Sequence, residues 1–263
     1  MSDTKRTGAR NQKDISPLIL EQLNKGLIES ANLTEWLCVD HLALIRNILS
    51  KEYQAICIEN IDRLKSKSVM SMVKSIGENL YENIKQTNDH ELFDRLKAHK
   101  SDSVRCWAAY IVGSNAELSL SEKLDLIQLF AADLHFGVRE IAWMAVREDI
   151  TKDLDSAISI LEVWSKNENP NIRRFSSESI RPNGVWCKKI DRLKNNPEIA
   201  LPILENLKSD SSKYVQDSVA NWLNDASKTQ PEFVIATCGR WVIESPTRET
   251  NYIIKGAQRT IKK

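Results

Sequence analysis

Val104-Arg105-Cys106-Trp107-Ala108-Ala109-Tyr110-Ile111 returns 34 residues later as Val138-Arg139-Glu140-Ile141-Ala142-Trp143-Met144-Ala145, and two steps further on as Val215-Gln216-Asp217-Ser218-Val219-Ala220-Asn221-Trp222. Counted from the leading valine, positions 0, +3, +4 and +7 fall on one side of an α-helix. They read Val104/Trp107/Ala108/Ile111, Val138/Ile141/Ala142/Ala145 and Val215/Ser218/Val219/Trp222, one packed stripe per segment. Ile172-Arg173 and Ile253-Ile254 are two more such anchors, and the steps between successive anchors are 34, 34, 43 and 38 residues. A polar turn precedes each anchor. An amphipathic segment precedes that turn, for example Leu154 to Trp164 or Ile199 to Leu207. The unit that recurs is a pair of helices, too small to bury its own apolar faces and therefore stacked on its neighbours.

Helix pairs at this period describe an all-α, HEAT-like superhelical array, right-handed, with the second helices lining its concave side. Start signals continue towards the N-terminus. Ser16-Pro17 reads as an N-cap with proline at the first helical position, followed by Ile19, Leu20, Leu23 and Leu27 at helical spacing. Asn32 before residues 33–49, Ser66 before 67–84 and Ser119 before 120–131 read as further helix starts. Only eight glycines punctuate the chain, which suits long helices with short links. Residues 1–15 are polar, basic and without periodicity, and are expected to form a disordered arm before a single array over residues 16–263.

Composition removes several classes of function. At 263 residues the chain can bury a large core without disulfide or metal. Cys38, Cys57, Cys106, Cys187 and Cys238 have neither zinc spacing nor a paired framework, so a reducing cytoplasm is the expected setting. No apolar core follows the basic residues of the first 14 positions and no run of about 18 apolar residues occurs later, so neither export nor membrane insertion is expected. The net charge of +1 means that any nucleic-acid surface must be local. His41, His90, His99 and His135 show no ligand spacing, and no glycine-rich phosphate loop occurs, so neither metal nor cofactor is expected.

On the second helices, offsets +2, +6 and +10 from the anchor lie at about 200°, 240° and 280°, opposite the packed stripe. This strip holds Glu140, then Arg174 and Glu178, then Asp217, Asn221 and Asp225. An ordinary solvated charged face would account for it. The expectation is that its carboxylates and cations share one concave, solvent-facing surface.

The run Arg173-Arg174-Phe175-Ser176-Ser177-Glu178-Ser179-Ile180-Arg181-Pro182, ending at Trp186, resembles the RR-x-x-SEG-x-RP…W signature of the AlkC branch of the AlkC/AlkD DNA-alkylation repair glycosylases. Lys213-Tyr214-Val215 followed by Ser218 to Asp225 is similar to that family's YV…SVAN-x-LND segment. Val138-Arg139-Glu140 occupies its VRE position, and Leu33 to Asp40 is similar to its N-terminal helix. Two departures adjoin the signature: Asn183-Gly184-Val185 stands where the family usually has a second arginine and Leu-Pro, and Ser179 stands where glycine is usual.

The resemblance implies a monofunctional DNA glycosylase, one that hydrolyses the N-glycosidic bond of cationic alkylated bases such as 3-methyladenine or 3-methylcytosine without drawing the base into a tight pocket. A cationic base needs no protonation to leave, so the barrier is chiefly the oxocarbenium character that develops on the sugar, which a nearby carboxylate stabilises. Carried over residue by residue, Glu140, Glu178 and Asp225 are the catalytic candidates for sugar and water, with individual roles open. Arg173, Arg174, Arg181 and Lys213 are the candidate phosphate contacts. Trp186 either stacks near the lesion or simply packs after a proline-broken helix. The expected partner is double-stranded DNA containing alkylated bases, the expected state a monomer. A non-catalytic HEAT-repeat module that binds damaged or branched DNA, or a protein, through the same face is the alternative.

Overall fold

The computed structural model describes residues 6–184 and 186–261. Among them are sixteen α-helices and no strand. Where the sequence reads as one array over residues 16–263, the described residues fall into two compact units, those within 1–118 and 133–145 and those within 119–132 and 146–263. No helix among the described residues is long and apolar enough to cross a membrane.

The first unit contains α1 (Pro17–Asn24), α2 (Leu33–Trp36), α3 (His41–Ile48), α4 (Lys51–Asp62), α5 (Val69–Thr87), α6 (His90–Lys97) and α7 (Asp102–Ser114). After α8 (Leu120–Ala131), which belongs to the second unit, α9 (Phe136–Lys152) gives its residues through Ala145 to the first unit and the rest to the second. The second unit continues with α10 (Leu154–Trp164), α11 (Pro170–Glu178), α12 (Asp191–Asn195), α13 (Leu201–Leu207), α14 (Lys213–Ala226), α15 (Pro231–Glu244) and α16 (Arg248–Ala257). Helices that follow one another in the chain pack as pairs, α4 on α5, α6 on α7, α10 on α11, α13 on α14 and α15 on α16. Second helices also pack side by side, α5 on α7 in the first unit and α11 on α14 on α16 in the second.

All five anchors, Val104, Val138, Ile172, Val215 and Ile253, are buried, as the periodicity requires. Six of the seven tryptophans are core residues, and Trp186 alone is exposed. Beneath the apolar pattern lies a polar one. At five residues before the anchor, His99, Asp133, Asn167 and Asp210 each accept the backbone N–H two residues on, at 3.0, 2.7, 2.8 and 2.8 Å. The arginine after the anchor then closes the same turn: Arg105, Arg139 and Arg173 each donate to the carbonyls six and five residues earlier. Arg105 also reaches Asp133, and Arg173 reaches Asp210, so one repeat's turn is tied to the next.

The helix starts need two corrections. Residues 33–49 are two helices, because Asp40 caps a new one by accepting from the N–H groups of Leu42 and Ala43. The helix expected after Ser66 starts two residues later, capped by Ser68. Ser16, Asn32 and Ser119 cap as expected, the last in a reciprocal capping box with Glu122. Of the arm expected to be disordered over residues 1–15, residues 1–5 lie outside the described residues, whereas Arg6 to Ile15 are fastened down. Arg6 pairs with Glu35 at 2.6 Å, and the carbonyl of Ala9 accepts from Asn32 at 2.8 Å.

Candidate active site

Asn169 and Pro170 start α11, and the helix ends at Glu178, four residues before Pro182, which has no N–H to return to the Glu178 carbonyl. The chain then turns back over the end of α11, closed by the bond from Ile190 N–H to the Pro182 carbonyl at 3.0 Å. Glu178 and Arg181, on either side of this helix end, are both buried. Asp225, near the end of α14, is buried against them. Arg181 lies between the two acids. It donates through Nη1 to Glu178 Oε1 at 2.9 Å, and through Nε and Nη2 to Asp225 Oδ2 at 3.0 and 2.8 Å.

The remaining carboxylate oxygens are also engaged. Ser218 donates to Glu178 Oε2 at 2.7 Å, and Arg174 stands 3.6 Å from the same oxygen while its guanidinium lies over the Tyr214 ring. Lys228 donates to Asp225 Oδ1 at 2.9 Å. Burial opposes the ionisation of Glu178, but Arg174 and Arg181, with the Ser218 hydroxyl, outweigh it and hold the carboxyl below its ordinary range. Burial likewise works against the Arg181 charge, yet Glu178 and Asp225 raise its pKa overall. The cluster is therefore a pair of anions kept apart by a cation, in a place closed to bulk water.

This corrects the expected exposure of the strip. Helical angle alone puts Glu178 and Asp225 on the solvent side, but Arg174, Arg181, Ser218 and Lys228 close around their carboxylates, and their relative exposures are 4% and 3%. Glu178 and Asp225 are brought together; Glu140 belongs to the other unit, half-buried on α9, with the indole N–H of Trp143 donating to its Oε2 at 2.8 Å. Among the cations, Arg173 is spent on the repeat turn and Asp210, and Arg181 on the two acids, so neither presents its guanidinium to a phosphate as expected. Arg174 is half-buried over Tyr214, and Lys213 is exposed, paired with Asp217 at 2.5 Å and set over the Tyr252 ring at 3.7 Å. Trp186 is 62% exposed and has φ +58°, so the packing account of it fails.

Several partners were not anticipated from sequence. Arg147, buried on α9 in the second unit, donates to the carbonyls of Ser179, Arg181 and Lys188 at 2.6, 2.6 and 3.2 Å, and so fastens the segment that follows α11. Gly184 permits that approach: a Cβ there would stand 2.5 Å from Cys187 Sγ and 3.1 Å from the Arg147 guanidinium carbon. Asn183, one of the departures from the family pattern, donates to the Asp225 carbonyl at 3.2 Å, while Val185 lies outside the described residues. Ser218 does leave a trace in the sequence, a hydroxyl at offset +3 where the three preceding repeats have Trp107, Ile141 and Phe175. Among the described residues no group of three or more His, Cys, Asp or Glu side chains could hold a metal ion.

Residues 142–239, which hold this cluster, match the family model described as DNA alkylation repair enzyme. Over 119 residues the chain is 44% identical to YhaZ, an uncharacterized protein of Bacillus subtilis strain 168, a match covering 45% of this chain and 33% of that protein. Among solved structures it is similar to the Pseudomonas fluorescens alkylpurine DNA glycosylase AlkC bound to DNA containing an abasic site analog. There the identity is 24% and the TM-score 0.66, over 97% of this chain and 66% of that one. AlkD2 from Streptococcus mutans is 25% identical with a TM-score of 0.58, over 80% of this chain and 97% of that one. Together these likenesses define a HEAT-like helical-repeat protein with a segment that matches the DNA alkylation repair enzymes. Along the chain the fold is similar to those of AlkC and AlkD2, and the match to the repair-enzyme family model is confined to residues 142–239.

Proposed function

We propose that the protein is a monofunctional DNA glycosylase that releases cationic alkylated bases, of the 3-methyladenine and 3-methylcytosine class, from duplex DNA by hydrolysis. It would act as a monomer in a reducing cytoplasm. The observation that carries this reading is Glu140: a half-buried carboxylate that accepts from the Trp143 indole N–H, two residues before the segment that matches the repair family. Such an anion can sit beside C1′ without rearrangement and stabilise the oxocarbenium ion as the neutral base departs. Water then adds to C1′, loses a proton, and leaves an abasic site. Glu178 and Asp225, being buried and paired, are assigned the holding of Arg174, Arg181 and Lys228 rather than contact with the sugar.

That same burial favours a second reading, a non-catalytic module that binds damaged DNA. Release of 3-methyladenine from methylated duplex DNA separates the two. The wild type should release base, and Glu140→Gln should lower the rate by about 100-fold or more. If the wild type releases none, the binding module stands. If Glu140→Gln matches the wild type, Glu140 is not the catalytic carboxylate.

A further inference from the structure

With Arg173 and Arg181 committed inside the protein, phosphate binding needs other cations. We propose that the edge formed by α14 and α16 is a seat for the DNA backbone, built from Lys213, Lys255 and Arg259; this rests on the reading of the protein as one that engages duplex DNA. The solvent-facing strip of the second helices does not end at α14. Counted from the Ile253 anchor, Lys255 is at +2, the offset of Asp217 on α14, and Arg259 follows in the turn just after α16, six residues from the anchor.

Side-chain contacts join the two rows. Arg259 donates through Nη2 to Asn221 Oδ1 at 2.8 Å, so offset +6 of one repeat touches offset +6 of the next. One position before each anchor stands a tyrosine, Tyr214 and then Tyr252, and each carries a cation on its ring: Arg174 over Tyr214 at 4.2 Å and Lys213 over Tyr252 at 3.7 Å. The Tyr252 hydroxyl donates to Asp217 at 2.7 Å, fixing its ring under the ammonium. Lys213, Lys255 and Arg259 are all exposed. Of the strip's two α14 carboxylates, Asp225 is buried and Asp217 is paired with Lys213.

Gly256, between Lys255 on α16 and Arg259 just beyond its end, allows the rows to come this close. A Cβ at that position would stand 2.8 Å from Ala220 Cβ on α14. Cations stacked on aromatic rings and held by an amide keep their heads at the surface in few rotamers, so they lose little entropy on meeting a fixed row of phosphates. The surface reads no base. It supplies affinity that is independent of sequence and of lesion, and that salt weakens by counterion release.

The test is binding of undamaged duplex DNA as a function of salt, with base release from methylated DNA measured alongside. The double variant Lys255→Ala/Arg259→Ala should flatten the slope of log affinity against log salt by about two, equally for undamaged and abasic-site duplexes. Lys166→Ala, which removes an exposed cation beyond the end of α10, should leave the slope as in the wild type. An unchanged slope in the double variant overturns the seat, as does a loss confined to lesion-containing DNA. A wild type that binds undamaged duplex with the expected slope change but releases no base overturns the glycosylase reading and leaves the seat intact.

Discussion

Arg181 grips Asp225 with two donors on one oxygen, Nε at 3.0 Å and Nη2 at 2.8 Å, across the gap between the end of α11 and the end of α14. Both partners are buried, so removing one charge leaves the other without full compensation. Asp225→Asn should therefore lower stability by about 3–5 kcal/mol. The check is a shift in the urea midpoint at an unchanged denaturant slope. A midpoint equal to that of the wild type would mean that water or other groups satisfy Arg181 as well as Asp225 does.

The acid limb of stability should be set in part by Glu178. Its folded-state pKa lies below the ordinary value of 4.5, because Arg174, Arg181 and Ser218 outweigh the burial that opposes its charge. For a depressed carboxyl the stabilisation is fully present above the unfolded-state value and is lost as pH falls through the folded-state value. Melting temperature should thus hold between neutral pH and about 5 and fall below that. Glu178→Gln should start lower at neutral pH and fall less steeply in acid. Parallel pH profiles for the two proteins would remove Glu178 from the linkage.

Arg173 begins the family-like signature, which reads from sequence as a phosphate contact, yet its guanidinium closes a repeat turn and grips Asp210 at 2.6 and 2.9 Å. Arg173→Ala should cost about 2–4 kcal/mol through the stranded Asp210 carboxylate and two unpaired carbonyls. It should leave the salt slope of DNA binding unchanged. Arg174→Ala, which removes a cation from the strip, should flatten that slope by about one. The reverse pattern would return Arg173 to the DNA-binding face.

The difference between these neighbouring arginines explains what the sequence makes legible. The anchors Val104, Val138, Ile172, Val215 and Ile253, and the caps Ser16, Asn32 and Ser119, depend on spacings of a few residues, so periodicity and capping chemistry find them. The partners of the charged residues are distant in the chain. Asp210 lies 37 positions after Arg173, and Asp225 lies 44 after Arg181. Helical angle gives the direction in which Glu178 leaves its own helix and says nothing of Ser218, 40 positions on, or of the Arg181 and Arg174 side chains that enclose it. A recurrent arginine after the anchor and a recurrent Asx or His five residues before it were present in the sequence as a signal. They mark a structural turn.

Gly256 gives the most direct test of how closely α16 must lie on α14. In Gly256→Ala the new methyl would stand 2.8 Å from that of Ala220, nearer than packed carbons allow, so the helices must separate or shear. Alanine improves intrinsic helix formation by about 1 kcal/mol, which offsets part of the loss, and a net destabilisation of about 1–2 kcal/mol is expected. The separation would also loosen the Arg259–Asn221 bond and the stacking of Lys213 on Tyr252, so the salt slope of DNA binding should flatten together with the fall in stability. Moving the methyl out of the way, in Ala220→Gly/Gly256→Ala, should restore both. A double-mutant cycle with no coupling between positions 220 and 256 would show that the two helices are not held together at this crossing.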